Sequence, residues 1–361
     1  MPRLLRPVAS PILILIVFLI LILFGSTTNF AEEPAKSSVE SKFLSNIRQV
    51  TSGMVKAGEG YFSPDGTQII YQAVPQDYPF YQIYTQPLSG GKPKLVSTGR
   101  GRTTCSNFSP DGKKILFASS HLDPKMDETE AAERKLQEEI KKSGKRPPYR
   151  WDFDPYSDIF EADLDGHILR RLTDAKGYDA EGAWSKDGKL IAFCSSRDGD
   201  PDIYVMNADG GDVRQLTNAP GYDGGPFISP DGKWVVFRSD RKKAEHLQIY
   251  VIGIDGKHEQ ALTDDDNSVH WGPYWHPNQP YIIWAGADHS VAGRPNYDLW
   301  LVKYEIKENK FILGKRQRVT DAPGGDVLPV FSPDGKKLMW TSTRTEDHQS
   351  QLFIADFKLP E

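Results

Sequence analysis

Cysteine is nearly missing: the 361-residue chain holds two, Cys105 and Cys194. That excludes a disulfide framework and a cysteine-rich zinc site, and leaves one bridge at most. An excess of basic charge is missing too. Forty-four Lys and Arg stand against 49 Asp and Glu, a net charge of −5, so no basic footprint supports nucleic acid as a partner. The sequence has no G-x-S-x-G elbow, no H-E-x-x-H and no phosphate-binding glycine loop. Turn formers are plentiful: 31 glycines and 26 prolines accompany 38% hydrophobic residues. This composition describes a globular chain of short strands and tight turns rather than long helices.

Arg3 and Arg6 precede an unbroken apolar run of 13 residues, Ile12 to Phe24. A basic start with a 7 to 15 residue apolar stretch is the layout of a secretory signal, whereas a spanning helix needs about 20 apolar residues. Residues 1–31 are therefore expected to be a signal peptide. Asn29 suits the small-x-small cleavage rule poorly, which leaves an uncleaved anchor over residues 8–24 as the alternative. Either way the rest of the chain is expected in the periplasm or outside the cell, touching a membrane only through an uncleaved N-terminal segment. Residues 32–45 read as a polar linker.

The remainder repeats. Ser63-Pro64-Asp65-Gly66 recurs at Ser109, Ser185 (with Lys186 in second place), Ser229 and Ser332, and in degenerate form at His276-Pro277-Asn278-Gln279. The six copies stand 46, 76, 44, 47 and 56 residues apart. Insertions of about 30 and about 10 residues explain the two long intervals, so the period is near 45, one four-stranded propeller blade. An apolar residue precedes each turn (Phe62, Phe108, Trp184, Ile228, Trp275, Phe331). A β-rich run follows, then an alternating strand such as Asp202–Val205, then a short Leu-Thr or Val-Thr element such as Gln215-Leu216-Thr217. Pro and Asp start the turn and Gly supplies its positive φ.

The phase of the repeat predicts closure. Arg48-Gln49-Val50-Thr51 stands before the first turn, yet the chain stops after the third strand of the sixth copy. Residues 333–361 and 46–62 together supply one period. The fold class is thus all-β, a six-bladed propeller over residues 46–361 whose last blade is completed by an N-terminal strand, leaving no open sheet edge. The larger insertion, about residues 121–156, is expected to hold a helix over Met126–Lys142, with Glu138 and Lys142 paired at i, i+4. The smaller is placed at Ala285–Asn296.

The Ser63–Gly66 copies, with Asp202–Val205 and Arg214–Thr217, resemble the WD40-like PD40 repeats of TolB-like propellers over nearly all of 46–361. The resemblance implies a cell-envelope protein that works through protein contacts. TolB proteins carry an α/β domain ahead of the propeller. Only some fourteen residues separate the signal from the first blade here, so neither that domain nor a following hydrolase domain is expected.

Six residues before each turn stand Ala57, Thr103, Asp179, Asp223, His270 and Asp326, each at the start of an innermost strand. Asp179, Asp223, His270 and Asp326 are candidates for a ligand-binding ring at the channel mouth. The competing reading has each Asp capping its own turn. Arg197, Arg241 and Arg344 occupy equivalent loops on the same face, as ligand contacts or as ion pairs between blades. Tyr149 and Trp151, in an extended Arg146–Trp151 segment, are docking candidates. His270, His289 and Asp288 are the cluster that could hold a divalent metal; otherwise no cofactor is expected. Asp264–Asp266 and Asp198, Asp200 and Asp202 are weaker cation candidates. The expected function is non-enzymatic binding of a protein or peptide partner by a monomer. The alternative is a metal-dependent, lyase-like or glycan-binding propeller.

Overall fold

The computed structural model describes residues 38–144 and 153–360. The signal segment, Tyr149 and Trp151 lie outside these residues. Six antiparallel sheets follow one another around the ring, five of four strands and one of five. Their innermost strands are Lys56–Phe62, Thr103–Phe108, Asp179–Trp184, Asp223–Ile228, Ser268–Trp275 and Asp326–Phe331. The sixth sheet runs Leu44–Gln49, Gln351–Phe357, Lys337–Ser342, Asp326–Phe331, so an N-terminal strand closes the last blade.

Two hydrogen-bonding devices repeat with the sequence. In the turns, the Ser hydroxyl donates to the Asp carboxylate, as Ser63 to Asp65 at 2.5 Å and Ser332 to Asp334 at 2.6 Å. It also accepts the N–H five residues on. The degenerate turn keeps the pattern by other means: His276 Nδ1 accepts the N–H groups of Asn278 and Gln279. At the outer edge, a Ser or Thr hydroxyl accepts an N–H from the third strand: Ile83 to Ser97, Ile159 to Thr173, Ile203 to Thr217, Ile249 to Thr263, Leu299 to Thr320. In the sixth blade Leu352 donates to Thr51, 301 residues away. The second strands, covered on both faces by neighbouring blades, carry continuous apolar runs, and Ile69, Ile70, Ile115, Leu116, Val235, Val236, Leu338 and Met339 are fully buried.

Two details differ from the sequence reading, and a third settles a point it left open. Residues 38–45, read as linker, belong to the fold: Val39–Lys42 forms a short 3-10 helix, Val39 N–H donates to Asp321, and Phe43 and Leu44 are buried. The extra length of blade five lies mainly between its third and fourth strands. There the edge hydrogen bond spans 21 residues instead of 14, and Lys310–Leu313 folds back on the long strand Asp298–Lys307. Cys105 and Cys194 are free thiols.

The expected helix runs from Met126 to Ser143 between the second and third strands of blade two, with Glu138 and Lys142 paired at 3.5 Å. It docks mainly through polar contacts. Tyr78 donates to Glu130 at 2.5 Å and Gln137 to the Pro79 carbonyl at 2.9 Å, while Met126 is its buried apolar anchor. No helix among the described residues is long and apolar enough to cross a membrane.

Candidate functional site

The aspartates at the head of the innermost strands are buried and bonded within their own blades. Antiparallel register sets Asp179 opposite Ser195, Asp223 opposite Ser239 and Asp326 opposite Ser342. Two residues past each serine comes the arginine. Arg197 reaches Asp179 at 3.1 Å, Arg241 reaches Asp223 at 2.5 Å and Arg344 reaches Asp326 at 2.6 Å. Each arginine Nε also donates to its serine. Burial raises the Asp179 and Asp223 carboxyls even so. These carboxylates therefore do not converge as an open ring. The arginine pairs form within blades, not between them, because the residue two past the serine lies beside the same strand end.

The metal trio does not assemble. His270 is 2% exposed and accepts a hydrogen bond from Trp284. His289 bonds the Tyr297 hydroxyl at 2.8 Å, and Asp288 accepts from Ser290. Among the described residues the one group of ligating side chains within metal-binding reach is Asp163, Asp165 and His167 on an exposed turn. Asp202 is buried and accepts from Thr217 at 2.9 Å, and burial pushes its carboxyl up to about 7. It is thereby committed to the blade rather than to a calcium loop. Asp264 pairs with Lys242 at 2.5 Å, and Asp265 accepts the Asn267 N–H.

The axial groups that do meet lie two positions further along the innermost strands. Every one of these strands breaks register there. The bulged residues have positive φ: Glu59, Cys105, Glu181, Gly225, Gly272 and Leu328. A bulge re-aims the side chain it carries, here at Glu59, Cys105, Glu181 and Leu328. Glu181 accepts from Arg238 at 3.1 Å, from Tyr222 at 2.9 Å and from Tyr178 at 3.2 Å. Gly225 makes room for this: a Cβ there would lie 2.1 Å from Arg238 Nη1. Glu59 receives the Tyr61 hydroxyl at 3.4 Å and the Cys105 thiol at 3.9 Å. Tyr61, Phe227 and Tyr274 pack with ring centroids 4.9 to 6.3 Å apart.

Burial first, and the like charge of Glu181 second, push the Glu59 carboxyl from 4.5 to about 7. The folded state then holds this proton more tightly than the unfolded chain. Its stabilising contribution is full below the ordinary carboxylate range and is lost as pH rises through about 7. Glu59→Gln is expected to raise the melting temperature by a few degrees at pH 8 and to leave it nearly unchanged at pH 4.5. An equal shift at both pH values would refute the assignment.

On the turn side the pre-turn residues Phe62, Phe108, Trp184, Ile228, Trp275 and Phe331 line an axial recess of about 240 Å³. Turn residues Pro110, Pro230, Pro277, Pro333 and Lys186 form its rim. Trp184 Nε1 is buried without a hydrogen-bond acceptor. The sequence marks these residues only as the turn and pre-turn positions of the repeat. Their recurrence at one position per blade was the available signal that they meet on the axis.

Residues 152–294 match the PD40 family, described as the TolB beta propeller domain. The chain is 25% identical over 187 residues to the Protein TolB homolog of Chlorobium luteolum, covering 48% of this chain and 42% of that one. It is 28% identical over 307 residues to Dipeptidyl-peptidase 5 of Porphyromonas gingivalis, covering 73% and 41%. It thus spans about two fifths of the length of these curated relatives. Among solved structures, a putative TolB from Agrobacterium tumefaciens superposes with a TM-score of 0.53 at 22% identity, covering 84% of this chain and 91% of that one. An oligogalacturonate lyase from Vibrio parahaemolyticus gives 0.51 at 14% identity, covering 87% and 94%. At these identities the two structures share the fold alone.

Proposed function

We propose that this chain, which carries a TolB-like PD40 propeller, works as an exported, non-enzymatic binding module of the cell envelope. Its partner is a protein segment that inserts an apolar side chain into the axial recess on the turn side. The observation that carries this reading is the recess itself, lined by the six pre-turn residues, five of them aromatic, and by four turn prolines. A desolvated aromatic pocket with a rigid rim is the form of an interface hot spot. Lys186 is the one charged residue of the lining and Trp184 offers a buried donor. Both favour a partner whose apolar anchor is followed by a carbonyl or carboxylate oxygen. Export rests on the basic and apolar N-terminal segment and on the likeness to a TolB homolog.

A photo-crosslinking residue at Lys186, in the native envelope, is expected to give a discrete protein adduct. The adduct should disappear in Pro110→Glu/Pro333→Glu, which alters only the rim and should melt as the native chain does. An adduct equal to that from exposed Lys303, or one indifferent to the rim substitutions, would overturn the proposal.

A further inference from the structure

Blade five departs from the arrangement of blades three, four and six. In those blades a guanidinium lies over the aromatic ring two residues into the third strand: Arg197 over Tyr204, Arg241 over Tyr250, Arg344 over Phe353, at 4.7 to 5.6 Å. A buried Asp neutralises each one. In blade five His270 replaces the Asp, Gly286 stands opposite it in place of the Ser, and Asp288 takes the place of the Arg. The guanidinium comes instead from the connection to the fourth strand: Arg316 lies 4.7 Å over Trp300. The stacking is kept, but the carboxylate partner is not. Among the described residues Arg316 has no ion pair, and Asp288 accepts instead from the Ser290 N–H and hydroxyl.

The hydrogen bonds of His270 define what is lacking. Trp284 Nε1 donates to His270 Nδ1 at 3.2 Å, the bond that Trp340 makes to Asp326 in blade six. An indole N–H can only donate, and this contact is the shorter of the two to the ring and belongs to a buried Trp284 while Arg316 is exposed to solvent, so Nδ1 is assigned as the acceptor and the neutral ring carries its proton on Nε2. Burial and the Arg316 charge hold this imidazole down to about 4, which keeps it neutral near pH 7. Nε2 in turn lies 3.4 Å from Arg316 Nη1, which is also only a donor. Two donors therefore face each other, one of them on a side chain 2% exposed. Gly286 makes the ring position possible, since a Cβ there would lie 2.6 Å from His270 Nδ1. Both donors open on a cleft of about 520 Å³, with Trp284 in its lining and Asp264, Asp265 and Asp266 along its wall.

We infer that this cleft binds a small carboxylate ligand, seated between the Arg316 guanidinium and the His270 Nε2–H, with amino or hydroxyl groups turned toward Asp264–Asp266. The planar guanidinium suits a carboxylate. The acidic wall opposes a phosphate dianion and favours a ligand whose far end donates hydrogen bonds.

The test is titration of the whole protein with glycine, lactate and inorganic phosphate, read on the His270 ring and Trp284 indole N–H signals by NMR. Glycine or lactate should shift both signals saturably, and the tighter of the two identifies the amino or the hydroxyl as the second contact. Phosphate should bind at least about tenfold more weakly. Arg316 is exposed, so Arg316→Gln should fold as the native chain does and weaken carboxylate binding about tenfold or more. His270→Asp supplies the internal carboxylate found in the other blades and should abolish binding. The inference is overturned if neither carboxylate shifts the two signals, if phosphate binds as well, or if either variant binds like the native protein.

Discussion

Deleting residues 44–51 should cost the propeller its cooperative unfolding transition or lower the melting temperature by roughly 10 °C or more, on a scale of about 2–4 °C per kcal/mol. Leu44 and Ser45 pair with Phe357 and Asp356, and Arg48 and Gln49 with Ile354 and Phe353. Val50 N–H donates to the Leu352 carbonyl at 2.7 Å, and the Thr51 hydroxyl joins Gln351 at 2.8 Å. Without this strand the edge of Gln351–Phe357 is bare and the ring is cut at one seam. The single change Thr51→Val is a finer probe. It leaves the Leu352 N–H unpaired in a buried setting and should cost about 1–3 kcal/mol. Calorimetry on both variants checks the pair, and a deletion that melts like the native chain would show that blade six stands on three strands.

Arg238→Met should destabilise the fold by roughly 3–5 kcal/mol, because it leaves a buried carboxylate without its cation. Both partners of the Glu181–Arg238 pair are more than nine-tenths buried. Glu181 would then face Glu59 with only neutral donors for support, the tyrosines and the Gly225 N–H. The double variant Arg238→Met/Glu181→Gln should recover a large part of the loss, since it removes the stranded charge as well. Urea unfolding of the two single variants and the double variant measures the coupling. Additive losses would mean that the pair does not act as a unit. Lys94–Asp165, with both side chains at least half exposed, serves as the contrast, and its removal should change stability by less than about 1 kcal/mol.

The six turns and the edge threonines were legible in the sequence because each device is local. Ser, Asp and Gly meet within four residues in five of the turns. The edge Ser or Thr stands 14 residues past its partner in blades one to four, whereas blade five stretches this to 21 and in blade six only ring closure brings Thr51 to Leu352. The bulges were not. Positive φ at that position is marked by glycine in only two of the six strands, Gly225 and Gly272, while Glu59, Cys105, Glu181 and Leu328 adopt it without a sequence signal. The head aspartates were placed at the right strand ends, but their partners depend on antiparallel register, which brings in the arginine two residues past the serine. Residues 38–45 read as a linker because their polar composition hides contacts made some 280 to 300 residues away, Val39 with Asp321 and Glu40 with Arg344.

The sequence by itself determined the blade count, the strand order within each blade and the closure of the ring, all of which follow from the spacing and phase of short repeated segments. The tertiary structure decided which side chains are spent on the fold and which are left to bind. Whether a carboxylate is neutralised depends on what the fold sets beside it. Asp223 meets Arg241 inside its own blade, Glu181 meets Arg238 across two blades, and Arg316 meets a neutral His270. Antiparallel register makes the first contact, the packing of neighbouring blades the second, and the long third-to-fourth connection of blade five the last.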